Sequence, residues 1–443
     1  MRRVSFAPMG SAGNLVTKKL GLRDTALLVM GGIVGSGIFM NPGVVARSAP
    51  SVAAVLGAWT LGGLVALAGG FVWAELAARQ PGIGGQYAYL RDGVHPAAGF
   101  LYGWSNLLVV QTGGMAAVAV TFAAYTHATI AIPWAPKITA VLALALLTAI
   151  NLAGVRVGGT VQSVFMAAKI VAIVGVVLCG LAIASPAVAP ATAIAAPTTF
   201  RAFFAAMIAV MFAYGGWATA TFVSGEIEDQ ARTLPRGLVL GTLGVVVLYL
   251  GVNAACLRAL GVSGLAASTA PVVDVVAKVI GATAGRVIAT VVAISAFGFL
   301  AQGMLVCPRV YYAMARDGLF FRAVGRLNPR SGVPDVAIAL QGLLAIATAL
   351  SGEYDELLSW VVTVDFVFLS ATAATLFVFR ARDPRPASIR APLHPLTTAF
   401  FIVTSLGVVA STFVENPRQS LFGWTLIGAG LPVYFLWKRR RRS

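Results

Sequence analysis

Two charged residues sit where charge is expensive. Lys169 interrupts Val164-Phe-Met-Ala-Ala-Lys169-Ile-Val-Ala-Ile-Val, and Asp365 interrupts Val361-Val-Thr-Val-Asp365-Phe-Val-Phe-Leu. On insertion scales a lysine at the centre of a bilayer costs about 2.5–3.5 kcal/mol, so it must face neighbouring helices and find acceptors there. Lys169 lies about 10 residues into its apolar run, roughly 15 Å deep at the rise of an α-helix, which is beyond the reach of snorkelling. Asp365 is a functional candidate by the same rule. It is a hydrogen-bonded or protonated structural group, a partner for a basic side chain, or a proton carrier. The third feature is a glycine cluster in the apolar stretch Thr25–Phe39, made of Gly31, Gly32, Gly35 and Gly37. A helix that unwinds there presents the N–H groups of Gly35, Ser36 and Gly37, with the Ser36 hydroxyl, at the start of its second half, and that arrangement binds anions. A second weak point, Phe212-Ala-Tyr-Gly215-Gly216-Trp217, offers unwound carbonyls to an ammonium group. In lipid such breaks survive only where they line a protein cavity. A carboxylate cradle opposite an ammonium acceptor fits the two ends of a zwitterion.

The elements that hold these groups are transmembrane helices. The chain is 58% hydrophobic and 11% charged, with a mean hydropathy of +0.87, whereas a soluble domain carries about 25% charged residues. Twelve apolar runs of spanning length are centred near residues 35, 64, 112, 142, 172, 215, 248, 298, 342, 367, 404 and 428. With the N-terminus inside, most of the 32 Lys and Arg residues fall on cytoplasmic ends, which is the positive-inside pattern. Both termini are therefore expected in the cytoplasm. The excess charge of +17 serves orientation and anionic headgroups, so nucleic acid is not an expected partner. The first 24 residues show no removable signal-peptide pattern. Cys179, Cys256 and Cys307 occupy separate spans without a CxxC pair, which excludes a disulfide framework or a cysteine metal site. His95, His127 and His394 are isolated. No catalytic or metal-ligand constellation follows, and neither enzyme activity nor a cofactor is expected. A dinucleotide loop at Gly35-Ser36-Gly37 would need a preceding strand, and there is none.

The layout repeats although the residues do not. Five spans open with one break and five more open with the other, then two follow. An odd count inverts the second unit and brings the breaks together near the midplane. The expected divisions are a tail at 1–22, a first repeat at 23–185, a second at 200–382, a final pair at 395–436 and a basic tail at 437–443.

Five blocks then carry a resemblance. They are Gly35-Ser-Gly-Ile-Phe39; Ala74-Glu75-Leu76 through Pro81, Gly84-Gly-Gln86-Tyr87 and Tyr89-Leu-Arg91; Phe212 to Trp217; Glu226 through Leu234-Pro-Arg236; and Pro308-Arg-Val-Tyr-Tyr-Ala-Met-Ala-Arg-Asp317-Gly318. In this order and at these spacings the chain resembles bacterial members of the amino acid–polyamine–organocation superfamily, in the L-type amino acid transporter branch, over roughly residues 20–435. It departs from that pattern at Asp229-Gln-Ala-Arg232, where relatives often have Pro, and at Gln86, where they often have Glu.

The resemblance implies an all-α, LeuT-like five-plus-five inverted repeat of twelve transmembrane helices, with the first and sixth broken. It implies the same carboxylate role for Gly35, Ser36 and Gly37. It makes Ile33, Phe212, Ala213 and Gly215 the backbone candidates for the ammonium group. Phe212 also caps the substrate from outside. It places a lysine in the fifth span, Lys169, where related sodium-coupled transporters hold sodium. Lys169 is then expected to bond carbonyls of the first break and Ser295 of the eighth span. Gln111 and Thr112, polar in an apolar third span, are expected to line the cavity. Glu75 and Glu226, near cytoplasmic span ends, and Tyr87 are expected to gate it through polar ties with the basic loops. The expected activity is secondary active transport of L-amino acids across a bacterial inner membrane by alternating access, with neutral substrates and proton-coupled uptake. The alternatives are amino acid exchange, a cationic amino acid or polyamine permease, and a receptor that binds without transport. No obligatory protein subunit is expected.

Overall fold

The computed structural model describes residues 20–80, 85–154, 159–182, 199–352 and 354–440. Arg2, Arg3, Lys18, Lys19, Pro81, Gly84 and the last three residues lie outside the described residues, as does the side chain of Glu226.

Helices make up almost all of the structure. In chain order they are α1 (Leu22–Ile33), α2 (Gly37–Ser48), α3 (Val52–Arg79), α4 (Gln86–Gly93), α5 (Pro96–Ser105), α6 (Gln111–Thr129), α7 (Pro136–Leu152), α8 (Gly159–Leu181) and α9 (Phe200–Tyr214). There follow α10 (Gln230–Ala267), α11 (Pro271–Ile280), α12 (Ala282–Val306), α13 (Pro308–Arg316), α14 (Asp335–Ser351), α15 (Tyr354–Arg382), α16 (Leu396–Glu415) and α17 (Pro417–Arg440). The only strand-like pairing among the described residues is one bridge between Leu20 and Ile227. Eight helical runs are long and apolar enough to cross a membrane, and the bent pair α1–α2 makes a ninth. Pro136–Leu152, Lys169–Leu181 and Asp335–Ser351 are shorter apolar helices. The protein is therefore a multi-pass membrane protein.

Local sequence explains the helix ends. Ser51 caps α3 by accepting from the Ala54 amide at 3.1 Å, and Thr199 caps α9 from Ala202 at 3.1 Å. Such caps satisfy first-turn amides that have no intrahelical acceptor. Proline opens α5, α7, α11 and α13, where its missing N–H costs nothing.

Both expected breaks are present. The first span stops at Ile33, where the Gly35 amide folds back onto the Ile33 carbonyl at 2.8 Å. The span resumes at Gly37, bent by 43°. The sixth span stops at Tyr214 and turns at Gly216, whose φ is +101°. It resumes as a 3-10 helix, Trp217–Glu226, rather than an α-helix. The third span carries a π-helical turn at Asn106–Val110, a feature with no sequence signature that recurs at functional sites.

The pieces of the first span pack with α3, α9 and α10, while α6, α7, α12 and α14 pack as a second group. The two breaks cross at glycine. A Cβ on Gly32 would stand 2.6 Å from Thr219 Oγ1 and 2.9 Å from the Gly216 carbonyl oxygen. A Cβ on Gly37 would stand 2.6 Å from Ala213 Cα. Only a residue without a side chain allows this approach. On the amphipathic helix α11, Asp274 and Lys278 do not pair with each other despite their spacing. Ser268 donates its hydroxyl proton to Asp274, and Lys278 donates to the Ala259 carbonyl at 2.6 Å.

Candidate functional site

The crossing of the two breaks borders a cavity that opens to solvent, about 860 Å³ with its mouth counted in. Ile33, Gly35, Ser36 and Gly37 line it from the first break, and Phe212 and Gly215 from the second. Gln111 and Asp365 face it from α6 and α15. Ala213 does not line it. Ala213 is buried against Gly37, one residue around the helix from Phe212.

The donor side of the site is concentrated at the start of α2. The Ser36 hydroxyl is 1% exposed and has no hydrogen-bond partner among the described residues. An unpaired buried hydroxyl is costly, and here it lies beside the first-turn amides of a helix. The expected contribution of the Gly35 amide is corrected by the structure, because that N–H already serves the Ile33 carbonyl. The Tyr249 hydroxyl lies 3.2 Å from this carbonyl oxygen and 3.2 Å from that of Ala213, so its one proton is shared between the two breaks.

Tyr249 is a staple between the two breaks that sequence reasoning did not single out. Its ring is held by Trp59 and Tyr214, with centroids at 5.8 and 5.0 Å. In the sequence it reads as one more aromatic in an apolar run. Tyr249→Phe keeps the ring and removes the bridge. We expect it to lower stability by about 1–2 kcal/mol, seen as a reduced melting temperature in detergent, and to slow transport several-fold. Unchanged melting and uptake would show that the bridge is dispensable.

Lys169 is 6% exposed, and its ammonium donates to the Val34 carbonyl at 3.3 Å. The break frees this carbonyl from its helical partner. The expected bond to Ser295 is not made, and the Ser295 hydroxyl is buried without a partner among the described residues. The carbonyl end of a helix carries the negative pole of its dipole, which favours a cation at Val34. Gln302, missed in the sequence although polar in an apolar span, lines the cavity and donates to the Leu28 carbonyl at 3.4 Å. Cys307, also missed, lines the cavity and donates its thiol proton to Gln111 Oε1 at 3.0 Å. The Thr112 hydroxyl is buried and unpartnered but does not border the cavity. Asp365 borders the cavity with no hydrogen bond or ion pair recorded among the described residues, and no cluster of three or more His, Cys, Asp and Glu residues among them offers a metal site.

Residues 20–437 match the family model described as amino acid permease. The chain belongs to the amino acid permease family. It is 30% identical to the serine/threonine exchanger SteT of Bacillus subtilis (strain 168), over 98% of this chain and all of that one. It is 28% identical to the human large neutral amino acids transporter small subunit 2, over 97% of this chain and 82% of that one. It is 25% identical to the human b(0,+)-type amino acid transporter 1, over 95% and 88% of the two chains. The permease and these relatives are transporters, not enzymes.

The polar ties of the permease gather at the arginine-rich end. Glu75, with no exposed surface, accepts from Arg79 Nε at 2.8 Å, from Arg380 Nε and Nη2 at 2.9 and 2.6 Å, and from the Ala391 amide at 2.7 Å. These bonds fasten α3 to α15 and to the segment after it. Tyr87 donates to Asp317 at 2.8 Å, and Arg91 reaches the same carboxylate at 2.5 Å, which fastens α4 to the turn after α13. Burial, with the Asp317 charge beside it, raises the Tyr87 phenol well above its ordinary pKa. It therefore stays a hydrogen-bond donor throughout the working range.

Proposed function

We propose that the permease carries L-amino acids across the membrane by alternating access, with the α-carboxylate of the substrate at Ser36 and the first turn of α2. The observation that carries this reading is the buried, unpartnered Ser36 hydroxyl at a helix start facing a second broken span. The nine spanning candidates and three shorter apolar helices supply enough segments for twelve spans, and the meeting of the breaks favours the LeuT-like inverted repeat of 23–185 and 200–382. The positive-inside pattern favours cytoplasmic termini in a bacterial inner membrane. Lys169 stands in for a coupling cation by holding the first break. Glu75, Tyr87 and Phe212 act as gates, and we assign the same role to Glu226. The chain works without a second subunit.

The lining is largely apolar around Val110, Met115, Val306 and Phe366, which favours neutral side chains. Asp365, unpaired at the cavity wall, is then the group that takes up a proton. One observation supports a second reading: the Bacillus relative is named an exchanger, so obligatory exchange is the competing mode. The test is uptake by the purified chain alone in liposomes, with neutral and cationic amino acids competing, with and without a pH gradient, and with and without internal amino acid. We expect saturable, stereospecific uptake that an inward proton gradient accelerates, and loss of that acceleration in Asp365→Asn. Uptake that requires internal amino acid and ignores the gradient selects exchange. Selective loss of cationic substrates in Asp365→Asn makes this carboxylate a side-chain contact instead. Failure of the folded chain to move any amino acid in either mode overturns the proposal.

A further inference from the structure

At the end of α15 opposite the arginine cluster, a smaller set of polar contacts joins this helix to the group formed by α1, α2, α3, α9 and α10. Tyr354 begins α15, a helix whose far end carries Arg380 and Arg382. The Tyr354 hydroxyl donates to Asn41 Oδ1 at 3.0 Å. Asn41 has no exposed surface, and its Nδ2 donates to the Ala209 carbonyl at 2.7 Å. A single carboxamide therefore ties α2, α9 and α15 together. Asn41 lies five residues beyond Ser36, and Ala209 lies three residues before Phe212. The Phe212 ring, which lines the cavity, meets the Tyr354 ring edge-on with centroids 6.5 Å apart. Beside it, Tyr125 of α6 donates to the Phe39 carbonyl of α2 at 3.1 Å.

We propose that the Tyr354 hydroxyl and the Asn41 carboxamide form a latch that closes the outer end of the cavity. The inference rests on the transport reading for the direction called outer. A buried asparagine inside an apolar helix is tolerated only when its polar atoms are paired. Asn41 has one bond within its own bundle, to Ala209, and one across to α15. Separating the bundle from α15 breaks only the second. The latch is a neutral bond between two uncharged groups, unlike the Glu75–Arg380 tie at the opposite end, and neutral bonds are roughly half as strong as charge-assisted ones. It is the tie that yields first when α15 parts from the α1–α2 group. Asn41 Oδ1 then faces the incoming solute and water.

The test reads opening without requiring transport. In a chain whose Cys179, Cys256 and Cys307 are replaced by serine, Val118→Cys places a reporter on the cavity wall. Intact cells are treated from outside with a membrane-impermeant methanethiosulfonate, and the labelling rate is measured. Tyr354→Phe and Asn41→Ala should each raise that rate by about 2- to 10-fold, the worth of one ordinary hydrogen bond. The double variant should label no faster than the faster single one. A parental rate in either single variant overturns the latch, as does a double variant that multiplies the two effects. Tyr354→Phe retains the ring and its packing, so it tests the hydroxyl even where Asn41→Ala fails to reach the membrane. Uptake of amino acids is measured separately on cells that carry the chain with its native Val118 and cysteines. Faster labelling in the latch variants, together with no amino acid movement by the unsubstituted chain, keeps the latch and removes the transport reading.

Discussion

Lys169→Ala should reduce uptake by at least about tenfold while the chain still inserts and purifies as a single species. The lysine is the donor for the Val34 carbonyl at the opened end of the first span. Without it that carbonyl is a buried, unpaired acceptor, at a cost of about 1–3 kcal/mol. The break then loses its lateral anchor on the fifth span. Misplacing a binding group by about 1 Å can cost around a hundredfold in rate, and Ser36 is only two residues from Val34. Insertion itself should improve, because a mid-membrane lysine opposes it. The measurement is initial uptake normalised to protein in the membrane. Lys169→Gln, which keeps an N–H donor on a shorter stem, should recover part of the loss. An alanine variant with wild-type uptake would falsify the anchoring role.

Gly216→Ala is the second large effect. Gly216 has a φ of +101°, and a Cβ there would stand 2.1 Å from the Gly32 carbonyl oxygen. Both the strain and the clash oppose an alanine, and neither can be relieved by a side-chain rotation. Together they cost about 3 kcal/mol or more, or they force the two broken spans apart. Transport should fall below detection. The neighbouring Gly215 supplies the control. Its φ is −63°, and a Cβ there meets only carbonyl oxygens at 3.4 and 3.5 Å. Gly215→Ala should keep most of the activity. Equal activity in the two variants would mean that the close crossing of the breaks is not needed.

The contrast between these two glycines marks what a sequence can convey. The breaks were legible because glycine clusters are rare in the middle of apolar runs, and Lys169, Asp365 and Gln111 because charge and amide groups are rarer still. The burial and cavity positions of Ile33, Ser36, Gly37, Phe212 and Asp365 follow from those anomalies. Orientation around each helix was not legible. One residue is about 100° of rotation, so Phe212 faces the cavity while Ala213 faces Gly37. The same uncertainty hid the choice of Lys169 between Val34 and Ser295. The inward turn of the Gly35 amide depends on a backbone dihedral that glycine leaves open. Tyr249 was invisible for another reason: nothing in a run of aliphatic and aromatic residues says which hydroxyl will find two carbonyls. The π-turn at Asn106–Val110 has the same apolar composition as the helix around it.

The Glu75 cluster has a mechanical corollary. Removing one partner from a buried carboxylate typically costs about 3–5 kcal/mol, and this carboxylate is gripped by two arginines and a backbone amide at once. While this inner gate stays shut, a swing of the α1–α2 group toward the outward-open state must turn about those bonds. The inner ends of α3 and α15 would then serve as a fulcrum, and displacement would grow along the lever toward the opposite rim.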